Sequence, residues 1–254
     1  METLKLIKNN NVAHIMLNRP DEHNAFNQTM ISELISVFTL LGHDRDIRVI
    51  VIQAEGKSFC SGADLNFMKE AAEHTEAQNT QDSLVMAHMF HTIYECPKPV
   101  IALAHGSVFG GGVGLLACCD IVIADPETKF GLTEVRLGLI PAVISPFVMA
   151  KIGASQARRY MLTGERFGAE VALRLGLIHE IGTETRDMIS ALLASGPEAV
   201  DHMKRLIRHL HDKPINEAVL GFTASLIAKC RSSAEGQEGI KAFFEKRTPN
   251  WVSK

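Results

Sequence analysis

The sequence has little that would send it to nucleic acid, to a membrane or to a metal. Its 254 residues carry 26 Lys and Arg against 29 Asp and Glu, a formal charge of −3, so no net positive field draws it to a polyanion and no nucleic-acid partner is expected. No run of about 18 uninterrupted apolar residues is present, which excludes a spanning helix. The opening METLKLIKNNN has no basic segment followed by an apolar core, so a cytoplasmic location without a membrane partner is the expectation. Five cysteines, Cys60, Cys96, Cys118, Cys119 and Cys230, lack the paired spacing of a zinc site, so reduced buried thiols are expected rather than a metal. Walker A, HExxH and GxSxG patterns are missing as well, which removes P-loop phosphoryl transfer, zinc proteolysis and serine hydrolysis. No Pro-, Ser- or Gly-rich linker and no repeat interrupts the chain. One α/β body over 1–195 with a helical extension over 196–254 is the expected organisation.

What is present is a hydrophobic pattern that changes period along the chain. Apolar-rich stretches at 3–8 and 12–17, joined by Asn9-Asn10-Asn11, predict a hairpin, because asparagine tolerates positive φ in a tight turn. Met30, Ile31, Leu34, Ile35, Phe38 and Leu41 recur at helical spacing, with Gly42 expected to stop the helix. The runs at 49–52, 100–104 and 121–124 read as buried strands, and strands alternating with helices imply a largely parallel sheet. Beyond about residue 145 the pattern predicts helices over 145–152, 154–162, 168–175, 185–195, 197–211, 214–231 and 236–246. Gly164 and Gly176 suit C-terminal caps there, and Pro197 and Pro214 suit first turns.

Two of the predicted strands run into glycine, where the chain loses most entropy on ordering and so needs a reason for it. These are Gly56 to Leu65, containing Cys60, Ser61, Gly62, Ala63 and Asp64, and His105 to Gly114, containing Gly110, Gly111 and Gly112. Each ends in residues able to start a helix, whose free N–H groups favour negative charge. A third segment, Phe130 to Pro141, places Glu134 among apolar residues, a setting that raises a carboxyl pKa and suits it to proton transfer near neutrality. Gly112-Val113-Gly114-Leu115-Leu116-Ala117 fits a G-x-G-x-x-A dinucleotide fingerprint, but the strand at Ile121 follows too soon for a crossover helix.

Taken together and in order, these segments resemble the crotonase, or enoyl-CoA hydratase/isomerase, superfamily over nearly the whole chain. The family's N-R-P-x-x-x-N-A stands here as Asn18-Arg19-Pro20 with Asn24-Ala25, its F-x-x-G-A-D-L as Phe59 to Leu65, and its G-x-x-x-G-G-G as Gly106 to Gly112. Its C-D-I-x-x-A appears as Cys119-Asp120-Ile121 with Ala124, and its F-x-x-x-E as Phe130 with Glu134. Its terminal F-x-E-K-R-x-P-x-W is present from Phe243 or Phe244 through Glu245, Lys246, Arg247 and Pro249 to Trp251.

The resemblance implies a ββα spiral core with a C-terminal helical trimerisation region, and an acyl-CoA thioester as substrate, with coenzyme A entering only as part of it. By matching positions it puts the oxyanion-hole amides on Ala63 and Gly111 and the acid/base on Glu134. It places the segment with Cys60, Gly62, Asp64 and Leu65 along the adenine pocket of the coenzyme A, Gly110 among the substrate-binding residues, and Lys246 near the coenzyme A of a neighbouring subunit in a homotrimer or hexamer.

Two departures refine the expectation. Where many hydratases of the family carry G-G-G-x-E, the second glutamate is replaced by Gly114, and where most relatives carry P-G-x-G-G-T, this chain has Pro141-Ala142-Val143-Ile144-Ser145-Pro146. The variant from Thr133 to Pro146, followed by Ala157 to Glu165, resembles bacterial 3-methylglutaconyl-CoA and carboxygeranoyl-CoA hydratases. That resemblance implies hydration of 3-methylglutaconyl-CoA to 3-hydroxy-3-methylglutaryl-CoA in leucine degradation, with Arg136, His23 or His105 as candidate partners of the distal carboxylate. A single glutamate also suits a Δ3–Δ2 isomerase. A non-catalytic, RNA-binding crotonase fold is the remaining alternative, opposed by basic residues that cluster only at Lys204, Arg205 and Arg208.

Overall fold

In the computed structural model, which describes residues 1–252, the chain opens with the hairpin β1 (Leu4–Asn9) and β2 (Val12–Leu17), paired antiparallel. Asn10 and Asn11 take φ of 46° and 67°, the left-handed pair that a two-residue turn between twisted strands requires. α1 (Gln28–His43) starts where the Asn27 side chain accepts the Met30 amide, and it buries Met30, Ile31, Leu34, Val37, Phe38 and Leu41. Gly42 does not stop it: this glycine keeps a negative φ, and the chain leaves the helix at extended Asp44.

The chain continues through β3 (Val49–Ala54), α2 (Leu65–Glu73), α3 (Glu76–Glu95), β4 (Val100–Ala104), β5 (Ser107–Phe109) and α4 (Gly111–Cys118). Then come β6 (Ile121–Ala124), β7 (Lys129–Gly131), a 3-10 turn over Glu134–Leu137, α5 (Ser145–Thr163), β8 (Arg166–Gly168), α6 (Ala169–Leu175) and β9 (Glu180–Ile181). α3 escaped the periodicity analysis because it buries only Met89, Phe90 and Ile93, near its C-terminal end, while a Thr75–Gln78 capping box defines its start. The two helices predicted over 145–152 and 154–162 are present as the two halves of α5, which meet at Gly153, whose φ of 72° is not helical. Gly164 and Gly176 are left-handed caps, as expected.

The strands form two sheets. The larger runs β1-β2-β3-β4-β6-β9, parallel from β2 onward, and its central strands are apolar on both faces because helices cover them. The smaller runs β5-β7-β8. Single bridges, Phe26 to Ala63 and Cys60 to Val108, stitch the loop after β3 to both its neighbours.

Two compact units result: Met1–Cys96 with Val100–Thr185, and Pro97–Pro99 with Arg186–Lys254. The main boundary between these units lies at Thr185/Arg186, where the sequence pattern predicts a division at 195/196. α7 (Arg186–Ala194) belongs with α8 (Pro197–Leu210), α9 (Glu217–Ser232) and α10 (Ala234–Phe244), and the Trp251 indole N–H donates to the Ala194 carbonyl at 3.2 Å. Pro197 opens α8 as expected, whereas α9 begins after Pro214, where Asn216 accepts the Val219 amide.

The loop that approaches the cavity is held by Asn24, which is fully buried. Its Oδ1 accepts the Arg19 amide at 2.8 Å, and its Nδ2 donates to the Glu55 and Ser58 carbonyls, each at 2.8 Å. Asn24→Ala should destabilise the fold by about 1–3 kcal/mol for each buried partner left unsatisfied, read from denaturant midpoints. A loss below about 0.5 kcal/mol would show that the loop is held by something else.

Candidate active site

The three segments singled out in the sequence come together in the first unit. The Phe26 amide donates to the Gly62 carbonyl at 2.8 Å and the Asp64 amide to the Phe26 carbonyl at 3.0 Å, so residues 62–64 lie alongside 26. On the other side, the Cys60 amide donates to Ser107 O at 3.2 Å and the Phe109 amide to Cys60 O at 3.0 Å. The close approach requires glycine: Gly62 has φ 100°, and a Cβ there would lie 3.1 Å from Phe109 O and 3.6 Å from Gly111 N.

This places the amides of Ala63 and Gly111 on neighbouring strands of backbone, one just before α2 and one at the first residue of α4. Among the described residues, neither amide donates a hydrogen bond. Both sit at the positive end of a helix. Backbone donors so arranged can receive an oxygen that develops negative charge.

Glu134 stands across from them on the 3-10 turn after β7. Its Oε1 lies against Gly110, where a Cβ would come within 2.9 Å of it; Gly110 has φ 50° and its own amide is spent on Gly131 O at 2.9 Å. Its Oε2 is buried without a hydrogen-bond partner. Burial raises the Glu134 pKa above the usual carboxylate range, opposed only by a hydrogen bond from its own backbone.

Glu134, Ala63 and Gly111 share a cavity of about 320 Å³. Its walls are apolar: Phe26, Met68, Met86, Phe109, Leu137, Leu139 and Ile140, with Pro141 to Ile144 closing one side. Ser61, Ser83 and Thr133 add hydroxyls, and Glu134 is the only ionisable side chain among the described residues lining it. Arg136 packs instead against Gly164, where a Cβ would lie 3.1 Å from its Nε. His23 pairs with Ser58 Oγ at 3.0 Å and His105 with Gly56 O at 3.0 Å. None of these three candidate carboxylate partners lines the cavity.

The other candidates divide between wall and support. Gly62 and Gly110 line the cavity. The Cys60 side chain is fully buried and burial pushes its thiol up to about 12, so it packs rather than touching a ligand. Leu65 is exposed at the start of α2, and Lys246 lies in the second unit with φ 52°.

Asp64 faces inward as the N-cap of α2, its Oδ1 accepting the Asn66 amide at 2.8 Å, while its Oδ2 pairs with Arg19 Nη2 at 2.8 Å. Burial acts to raise its pKa, but Arg19 and the capping amides outweigh that and hold it below the usual value. Arg19 also donates to Ala25 O at 2.6 Å, so it binds together the two segments between which Ala63 is held. Periodicity gave no hint of this pair. Its members are separated by 45 residues and stand in two different motifs, N-R-P and G-A-D-L, neither of which indicates that they pair.

The sequence matches the model of the enoyl-CoA hydratase/isomerase family over residues 7–254. The crystal structure of an enoyl-CoA hydratase from Shewanella pealeana superposes with a TM-score of 0.96 at 43% identity, covering 98% of this chain and 96% of that one. Enoyl-CoA hydratase ACTT6 of Alternaria alternata is 32% identical, over 90% of this chain and 77% of its own. An (E)-benzylidenesuccinyl-CoA hydratase of Thauera aromatica is 30% identical, over 94% and 95% respectively.

The raised pKa of Glu134 has a thermodynamic signature. The native state holds this proton more tightly than the unfolded chain, so the stability it contributes is complete below the usual glutamate value and is lost as pH rises through the native pKa. Glu134→Gln abolishes that titration. Denaturant midpoints measured between about pH 4 and pH 8 should therefore show the variant gaining on the wild type as pH rises, and parallel curves would show that Glu134 ionises freely.

Proposed function

Because the chain belongs to the enoyl-CoA hydratase/isomerase family, we propose that the cavity takes the acyl group of an α,β-unsaturated coenzyme A thioester and adds water across its double bond. The observation that carries this is the pairing of two unbonded amides, Ala63 and Gly111, with one buried carboxylate in a single apolar cavity. The thioester oxygen accepts both amides. Glu134, ionised, removes a proton from water as its oxygen bonds to C3. The double-bond electrons move through C2 to the thioester oxygen, giving an enolate that the two amides stabilise; one such donor contributes about 2.7–4 kcal/mol. Glu134 then returns the proton to C2, so one residue serves as base and acid in turn. Coenzyme A enters only as part of the substrate.

We take 3-methylglutaconyl-CoA, hydrated to 3-hydroxy-3-methylglutaryl-CoA in leucine degradation, as the substrate. The absence of a second acid in the cavity wall removes a like charge that would repel the substrate's own carboxylate. A relative of similar length is named an (E)-benzylidenesuccinyl-CoA hydratase. With no Lys, Arg or His among the described residues of the wall, the substrate carboxylate stays hydrated at the mouth. That same apolar wall favours Δ3–Δ2 isomerisation as the second reading, since no second carboxylate faces Glu134 to hold a water.

The C-terminal helices are assigned to self-association as a homotrimer or hexamer, because Ile207, Leu220, Phe222 and Ile227 are left exposed on α8 and α9. Light scattering at micromolar concentration should give three or six times the chain mass of 27.9 kDa. A species of one chain mass would remove the assignment.

Catalysis is tested with a panel of thioesters. The value of kcat/KM for 3-methylglutaconyl-CoA should exceed that for crotonyl-CoA by at least about tenfold, equivalent to about 1.4 kcal/mol. Glu134→Gln should lower kcat by about 10²–10⁴-fold with KM nearly kept. Equal or reversed substrate preference would sink the substrate, near-normal turnover by the variant would sink the mechanism, and conversion of a 3-enoyl to a 2-enoyl thioester without water uptake would establish the isomerase.

A further inference from the structure

Gly114 sits in α4 one turn beyond Gly110, its amide donating to the Gly110 carbonyl at 3.2 Å. A side chain has no room there. A Cβ would collide with Ile144 Cγ2, lie 2.7 Å from Ile144 Cβ and approach the Phe90 ring to 3.4 Å. Ile144 is 3% exposed and forms part of the cavity wall.

Nor can Ile144 swing aside. It stands at the head of α5, where its carbonyl accepts the Val148 amide at 3.0 Å. The turn before it is pinned twice, with the Ser145 amide and hydroxyl both donating to Pro141 O, at 3.0 and 2.7 Å. Behind it Phe90 is wedged between Phe26 and Phe147, at ring distances of 5.9 and 6.2 Å. Close-packed interiors of this kind do not yield a methyl group's volume without strain.

We infer that Ile144 is a specificity-determining residue and that Gly114 and Ile144 form a complementary pair. The isoleucine branch fills the volume that a side chain at 114 would need, so the wall contributed by α4 and the head of α5 is apolar, fixed in shape and free of a second acid. Ile144 thereby sets the size of acyl group accepted on that side. The specificity role rests on the proposed acyl-CoA reading of the same cavity; the packing of the pair does not.

The pair is tested without substrate by a stability cycle. Gly114→Ala alone should lower the denaturant midpoint, whereas in an Ile144→Gly background, which removes the Cγ2 and Cβ atoms that a side chain at 114 would meet, the same change should be neutral or stabilising, as alanine normally is in a helix. In an Ile144→Val background, which keeps the Cγ2 branch, it should remain destabilising. If Gly114→Ala alone does not fold, folding of the Gly114→Ala/Ile144→Gly protein is the same positive result. Additive effects in all backgrounds would overturn the pairing.

Specificity is read from kcat/KM across enoyl-CoA thioesters of increasing acyl bulk. Ile144→Ala should shift the ratio of bulky to compact substrates by at least about tenfold, and Ile144→Val by less. Unchanged ratios alongside a coupled stability cycle would overturn the specificity role and leave Ile144 a packing residue. Absence of turnover with every enoyl-CoA would instead overturn the functional reading, and the specificity role with it, while the stability cycle still decides the pair.

Discussion

Two backbone amides that bond to no group among the described residues, Ala63 and Gly111, open onto one cavity, and their N–H groups are left for whatever enters it. Bonds on either side hold Ala63 and Gly111 in that position. The flanking residues Gly62, Asp64 and Gly110 spend their peptide groups on Phe26 and Gly131, and the loop is fastened from behind by Asn24 and by the Arg19–Asp64 ion pair. The sheet order, the bridges to Phe26 and Val108 and the positive φ at Gly62 and Gly110 all serve one geometric demand, that two stretches of main chain approach within contact distance while leaving one N–H each unused.

The carboxylate opposite works under a complementary constraint. Glu134 is surrounded by hydrocarbon and glycine rather than by cations, so its affinity for a proton is raised by poor solvation and not by a charged neighbour. A group tuned in this way responds strongly when a ligand displaces the remaining water from the cavity, because nothing else nearby compensates its charge. The amides act in the same low-dielectric space and gain strength from the same exclusion.

Much of this was legible in the sequence where local chemistry decides the structure. The Asn10-Asn11 turn, the caps at Gly164 and Gly176 and the central strands follow from residue type and period alone, and the glycine segments and Glu134, singled out in the sequence, line one cavity. The errors arose where another residue takes over. Gly42 stays helical because Asp44 ends α1, α9 waits for Asn216 rather than Pro214, and α3 hides because it buries so little of its length. The Arg19–Asp64 pair and the apolar lining from Met68 and Met86 depend on tertiary contact between distant segments, which no window along the chain can reveal.

The two oddities at Gly114 and Ile144 looked independent in the sequence, yet they share a single volume. Their contact imposes an order on mutational history. A lineage with this pair can gain a side chain at 114 only after residue 144 has shrunk, and once 114 has grown residue 144 cannot regain its branch. Either first step taken alone leaves a clash or a void, so any path between the two arrangements passes through a less well packed intermediate.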